Sequence, residues 1–151
     1  MTEVEADLVA GHECLRDAFG EGFAPLFVPP WNRFAEKFNP ILENCGYLGL
    51  STFTPRRAKW ASGDFVQVNT HVDPIAWHGS RSLLSPERII EHTVASLKDR
   101  RIGAADNAEP FGFLTHHLVH DEAIWDFSRE FLKRFAAGPT QMWAAYELRK
   151  G

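Results

Sequence analysis

The sequence predicts an α/β fold built on mainly parallel strands. Three observations carry that prediction. Amphipathic helical stretches alternate with short apolar runs, in the order helix, strand, helix, strand, strand, helix, strand, helix, helix. The strand-like runs are too short and too apolar to face water on both sides, as suits strands covered by helices. The chain has 151 residues, of which 44% are hydrophobic, including 12 Phe and 5 Trp, so one domain with a sizeable core is expected.

The first segment, "TEVEADLVAGHECLRDAFG", reads as a helix. Val4, Leu8, Leu15 and Phe19 recur near helical spacing, and Gly20 stops it. "APLFVPPWNR" follows as a buried strand broken by Pro29–Pro30, and "FNPILENCG" as a short helix from Asn39–Pro40 to Gly46. "YLGLSTF" is a second strand, and "TPRRAKWASGD" is polar and turn-rich, so it reads as a loop. In "DFVQVNTHVD" Phe65, Gln67, Asn69, His71 and Asp73 share one face, and Val66, Val68, Thr70 and Val72 the other, which is expected to be the buried one. "SPERIIEHTVASLKDRR" is a helix with Ser85 as N-cap, Pro86 in its first turn and Ile89, Ile90, Val94 and Leu97 as its apolar stripe. "PFGFLTHH" is a further strand. "DEAIWDFSREFLKRFAAG" is a helix that Asp121 caps, with Ile124, Phe127, Phe131 and Phe135 inward and Gly138–Pro139 at its end. A last short helix carries Met142, Trp143 and Tyr146.

Composition excludes several classes. Net charge is −4, and the basic clusters Arg56–Arg57 and Lys98–Arg101 are short, so electrostatic capture of nucleic acid or an anionic membrane is not expected. No apolar run approaches the roughly 20 residues that span a bilayer. The start "MTEVEADLVAGHE" is acidic and polar, unlike a signal peptide, so a cytoplasmic location is expected. Cys14 and Cys45 are too few for a disulfide framework or a thiolate zinc site, and both read as small buried hydrophobes. The sequence has no G-x-S-x-G elbow, no G-x-G-x-x-G and no Walker loop, which argues against a serine nucleophile and nucleotide cofactors.

In α/β folds ligands gather at the carboxyl ends of the strands. That rule singles out Pro29–Arg33, Ser51–Phe53, Asn69–Trp77 and His116–His120. A hydrolytic metal site needs about three protein ligands and an open position. His71, Asp73 and His116 are able to form one, although no spacing here is diagnostic of a metal. Equally, His71 and Asp73 suit the polar face of a half-buried strand. His117 and His120 suit solvent-side or capping positions. Trp31 and Trp77 suit either the walls of a sugar groove or the core. A lone histidine acting as an acid needs a partner to hold its tautomer, and Asp73 is the candidate.

Taken together, "FVPPWNR", "CGYLGLSTF", "VNTHVDPIAW" and "FGFLTHHLVHD" resemble the C-terminal half of the polysaccharide deacetylase (NodB-homology) domain, over roughly residues 5–137. The resemblance implies a partial (β/α) barrel of about four mainly parallel strands flanked by helices. It also implies metal-dependent hydrolysis, with zinc the expected ion, of an acyl group on a carbohydrate or related amide. The family's Arg-Pro-Pro-aromatic turn falls on Val28-Pro29-Pro30-Trp31, with Asn32 following. Its Asp-x-x-Asp-Trp segment falls on Asp73 to Trp77, and its Leu-x-His strand end on Leu114-Thr115-His116. His116 then takes the general-acid position, with Asp73 orienting it. Pro30, Trp31, Asn32, Trp77 and Leu114 take substrate-binding positions, and His71 and His117 are the candidate metal ligands.

The chain also departs from the family. Val28 stands where the family has the arginine that orients its base, and Ala76 where it has the aspartate that orients its acid. The family's first two motifs, a base and a metal aspartate and then an H-x-x-x-H pair, have no counterpart, and His12 stands alone in a helix. Most of the metal site would then lie on residues outside this sequence. About four strands do not close a barrel, so a homodimer, or completion by another chain, is expected. Alternatively, the chain is a degenerate, non-catalytic domain that binds carbohydrate or a partner, a structural subunit that dimerises through its open edge, or a piece of a longer protein.

Overall fold

Helices and short, mostly parallel strands alternate along the chain in the computed structural model, which describes residues 2–116 and 118–150. The fold is α/β, and no barrel closes among the described residues. The chain falls into two compact units, Met1–Asn69 with Trp143–Gly151, and Thr70–Met142.

The first unit opens with helix α1, Glu3–Phe19. The Thr2 hydroxyl accepts the Glu5 N–H, and the Glu5 carboxylate accepts the Thr2 N–H, a reciprocal cap. Gly20 ends the helix at φ +52°, where a side chain would be strained. Only Leu8 of the expected apolar stripe packs on the core; Val4, Leu15 and Phe19 are exposed. His12 makes up some of the difference, meeting Phe23 and Tyr47 edge-on at 5.0 and 4.9 Å. Cys14 is exposed and Cys45 half-buried against the core, so only the second approaches the expected role. Burial, then the charge of Glu5, raises the Cys45 thiol above its ordinary pKa.

Strand β1 (Leu26–Phe27) runs parallel to β2 (Gly49–Leu50), which follows helix α2 (Asn39–Asn44). The stretch read as a loop contains a strand, β3 (Trp60–Ser62), antiparallel to β4 (Phe65–Gln67) through the two-residue turn Gly63–Asp64. A serine-glycine-aspartate run between apolar residues is a hairpin signal. The sheet order is β1-β2-β4-β3. Gly49 sits at its centre because a Cβ there would meet Val66 at 2.7 Å. Phe23, Leu42, Tyr47, Leu50 and Phe65 form the core.

The second unit pairs β5 (Thr70–Val72) in parallel with β6 (Gly112–Phe113). The run "DFVQVNTHVD" is therefore two strands in two sheets rather than one strand. Its polar side is not turned to water either: Phe65, Asn69 and His71 are as buried as the valines. Helix α3 (Pro86–Arg101) connects β5 to β6, and helix α4 (Glu122–Ala136) follows. Ser85 occupies the N-cap of α3, but its hydroxyl reaches the Glu87 side chain rather than the helix backbone.

The buried face of α3 is Ile89, Thr93 and Arg100, while Ile90, Val94 and Leu97 are exposed. The helical period is as expected and Ile89 faces inward as expected, but Ile90, Val94 and Leu97 do not. Thr93 bonds the Ile89 carbonyl, and Arg100 points inward to a buried carboxylate, so this polar face finds partners inside. On α4 the expected face holds. Asp121 caps it by accepting the Ile124 N–H at 2.9 Å, Ile124 is fully buried, and Phe131 lies 5.0 Å from Phe113 and 4.8 Å from Phe135. A 3-10 stretch, Ala145–Lys150, stands where the last helix was expected, and Met142 before it is exposed.

Candidate functional site

Because β5 and β6 are parallel and adjacent, their carboxyl ends open on the same side of the sheet. The Leu114 N–H donates to the Val72 carbonyl at 2.8 Å and prolongs the pairing by one step. Asp73 therefore leaves one strand, and His116 leaves the other two residues past Leu114.

The sequence Asp73-Pro74-Ile75-Ala76-Trp77 then fixes its own geometry. The Asp73 Oδ1 accepts the Ile75 N–H at 3.0 Å, an Asx turn, and Oδ2 accepts the Trp77 indole N–H at 2.8 Å. The same Oδ2 lies 3.1 Å from His116 Nε2. Trp77 meets the His116 ring edge-on, with centroids 4.9 Å apart. A carboxylate facing Nε2 makes that nitrogen the donor. Nδ1 has no hydrogen-bond partner among the described residues, and the side chain is 26% exposed. His116 is thus held at one nitrogen and open at the other.

His120 supports the same turn. Its Nε2 accepts the His116 backbone N–H at 3.1 Å, its ring meets Trp125 at 4.5 Å, and its buried Nδ1 has no partner among the described residues. Acceptance at Nε2 requires the neutral ring. Burial, then the neighbouring His116, lowers its pKa, with Asp73 and Asp121 opposing. Asp121, besides capping α4, accepts the Ser82 hydroxyl, which ties the loop after Trp77 to the helix start. The Ser82 bond and then the Ile124 N–H lower its carboxyl below the usual range.

His71, a candidate metal ligand, is built in differently. Its Nδ1 accepts the Gly112 N–H at 3.1 Å, which places the ring proton on Nε2, 3.1 Å from Glu109 Oε2. Arg100 Nη2 lies 2.9 Å from the same nitrogen and 3.7 Å from the carboxylate, so its charge is met by Glu109 rather than by the ring. Arg100 Nη1 donates to the Glu109 carbonyl, and Phe111 stacks on the His71 ring at 5.1 Å. His92 on α3 bonds the His71 carbonyl at 2.9 Å. Both nitrogens of His71 are occupied by protein, and its side chain is 1% exposed. His117, the other candidate ligand, lies outside the described residues. Among the described residues no group of three His, Cys, Asp or Glu side chains is placed to hold a metal ion. Asp73 already receives its donors on both oxygens. These residues do not fit the divalent ion that the resemblance implies.

The remaining candidates lie in the first unit, on the turn after β1. Pro30 is exposed, Trp31 is 86% exposed, and Trp31 and Asn32 both take left-handed backbone, at φ +59° and +53°. Nothing in the sequence pattern marks Glu109, Arg100 or Ser82, whose partners His71 and Asp121 are far away in the chain, and His120, expected at a solvent-side or capping position, instead holds the turn after Leu114. Among the described residues no helix is long and apolar enough to cross a membrane. Comparison with protein-family models, with curated proteins and with solved structures finds no match to this chain.

Proposed function

We propose that the unit Thr70–Met142 carries a histidine–carboxylate acid–base site of the polysaccharide-deacetylase type, serving hydrolysis of an N- or O-acyl group on a carbohydrate. The Trp77–Asp73–His116 constellation at the ends of two parallel strands is the observation that supports this reading. Asp73 holds Nε2, so a proton is carried at Nδ1. In the charged form His116 gives that proton to the amine or alkoxide that leaves as water takes its place on the acyl carbon. Trp77 keeps the carboxylate in position and walls one side of the ring. The divalent ion of such chemistry, zinc by the resemblance, would take its ligands from outside the described residues. A partial (β/α) barrel completed by a second copy or another chain belongs to the same proposal, since β5 and β6 each have an edge with no strand beside it among the described residues.

Acetate release from chito-oligosaccharides or acetylated xylan, with added zinc and after chelation, tests this reading. His116→Ala is expected to lose turnover while folding normally. Turnover that survives the substitution would sink the acid role.

The second reading is a degenerate domain that binds carbohydrate or a partner without turnover. Val28 and Ala76, at positions where the family has its orienting arginine and aspartate, favour it. Wild-type protein that binds sugar, hydrolyses nothing at any zinc concentration and ignores His116→Ala would establish it.

A further inference from the structure

A cleft of about 480 Å³ opens in the first unit. Thr52 follows β2, Gln67 ends β4 and Arg33 follows β1, so the cleft lies at the carboxyl ends of the parallel strands. Its volume is within the range of small-molecule sites, about 300–1,000 Å³.

The wall chemistry is specific. Arg33 and Arg57 are exposed and make no ion pair among the described residues, so two guanidinium groups stand open on the cleft. Trp60 contributes an aromatic surface that is 45% exposed, with the Lys59 ammonium 4.4 Å from its ring centre adding a third positive charge nearby. Glu36 and Asn39 offer acceptors. Asn39 is only 2% exposed; its Nδ2 donates to the Ala61 carbonyl at 3.4 Å, and its buried Oδ1 has no partner among the described residues. A buried acceptor left without a donor is rare in folded proteins and calls for a reason.

The floor, by contrast, is complete. The Asn69 Oδ1 accepts the Thr52 N–H at 2.9 Å and the Thr52 hydroxyl at 3.0 Å, and Asn69 Nδ2 donates to the Thr54 carbonyl at 2.8 Å. Buried Arg56 donates to the Gln67 carbonyl at 2.8 Å. Around this rigid floor the backbone is left-handed at Trp31, Asn32 and Thr54, a conformation that side chains adopt at a cost and that concentrates at binding sites.

We infer that this cleft binds an acidic sugar, a hexuronic acid unit. The two guanidinium groups take the carboxylate, Trp60 packs on the apolar face of the ring, and Glu36 and Asn39 Oδ1 accept from ring hydroxyls. A neutral sugar would leave the guanidinium groups unmatched. A simple anion such as phosphate would leave the aromatic surface and the acceptors unused. This inference rests on the first unit alone and does not depend on the chemistry of His116.

The test is titration of the full chain with D-glucuronate, D-glucose and inorganic phosphate, followed by calorimetry and by backbone amide shifts. Saturable binding of glucuronate is expected, at least about tenfold tighter than either control, with shifts at Thr52 and Asn39. Arg33→Gln and Arg57→Gln, both on exposed side chains that make no hydrogen bond or ion pair among the described residues, are each expected to weaken it about tenfold or more. Asn39→Ala is expected to weaken it as well, with some loss of melting temperature, because the bond from Nδ2 to the Ala61 carbonyl goes together with the acceptor. Equal affinity for glucose, equal affinity for phosphate, shifts confined to other residues, or no saturation up to about ten millimolar would each overturn the assignment.

Discussion

His71 lies within the two-stranded sheet and His116 just beyond its carboxyl end, and each faces a carboxylate at the same distance, 3.1 Å. Their surroundings separate them. His71 and Glu109 are 1% and 0% exposed, whereas His116 and Asp73 are 26% and 16% exposed. His71 has its second nitrogen on the Gly112 N–H and an aromatic ring stacked on its face. His116 keeps its second nitrogen open, and its aromatic neighbour meets it by an edge. The first arrangement ties a helix, a strand and a loop together and has no atom left to offer. The second holds a titratable ring steady and leaves it reachable, which is what proton transfer to a ligand requires. A histidine–carboxylate distance alone does not distinguish structure from chemistry; the state of the other nitrogen does.

The largest expected effect follows from the open member of the pair. His116→Ala should lower hydrolysis by about a hundred- to ten-thousand-fold, the usual share of a general acid, with the urea midpoint nearly unchanged. A large loss of stability instead would place His116 with His71. The reverse pattern is expected for His71→Ala. Removing the ring leaves Arg100 and Glu109 paired but takes one donor from the buried carboxylate, leaves the Gly112 N–H without its acceptor and opens a cavity under Phe111, and about 2–5 kcal/mol of stability should go, measured by urea unfolding. A loss under about 1 kcal/mol would show that water reaches the cluster and that the comparison fails.

Trp77→Phe sharpens the open site. It keeps a ring beside His116 but removes the indole N–H that holds Asp73 Oδ2, so a drop of about tenfold in turnover is expected. Substrate affinity should change less. Unchanged turnover would mean that the Asx turn alone positions the carboxylate.

The smallest expected effect is on stability against pH. His120 has its pKa lowered by burial and by His116, with Asp73 and Asp121 opposing. Below about 6.5, the unfolded value, the unfolded chain takes up the proton first, so stability should fall as pH drops from that value through the lowered folded one. Protonation also removes the acceptor of the His116 N–H. Asp121, whose carboxyl is lowered by Ser82 and the Ile124 N–H, adds a second loss at more acidic pH, as the pH falls from its ordinary value through the lowered folded one. Urea midpoints of wild type and His120→Asn from about pH 7.5 down to about pH 2 check the sign: the variant should lose the histidine step and keep the acid one.

Much of the local structure was legible. Asp121 and Gly20 mark helix ends through bonds made within a few residues, and those bonds form as their spacing requires, while Pro86 suits the first turn of α3 because it has no N–H to satisfy. The spacing of Asp73 and Trp77 likewise serves a contact inside one turn. The hairpin at Gly63–Asp64 was also written locally, but a polar stretch around it hid the signal. The inward face of α3 was not legible. Ile90, Val94 and Leu97 carry a proper apolar period, yet Arg100 turns inward because Glu109 waits there.

The sequence by itself determined the long helices, several of their ends and the α/β class, because those depend on side-chain period and on hydrogen bonds between near neighbours. Only the tertiary structure decided which histidine is closed and which is open. Glu109 lies 38 residues from His71, and Asp73 lies 43 from His116. Nothing in a one-dimensional pattern states which distant carboxylate a ring will meet, or whether its second nitrogen will find a backbone N–H or the solvent.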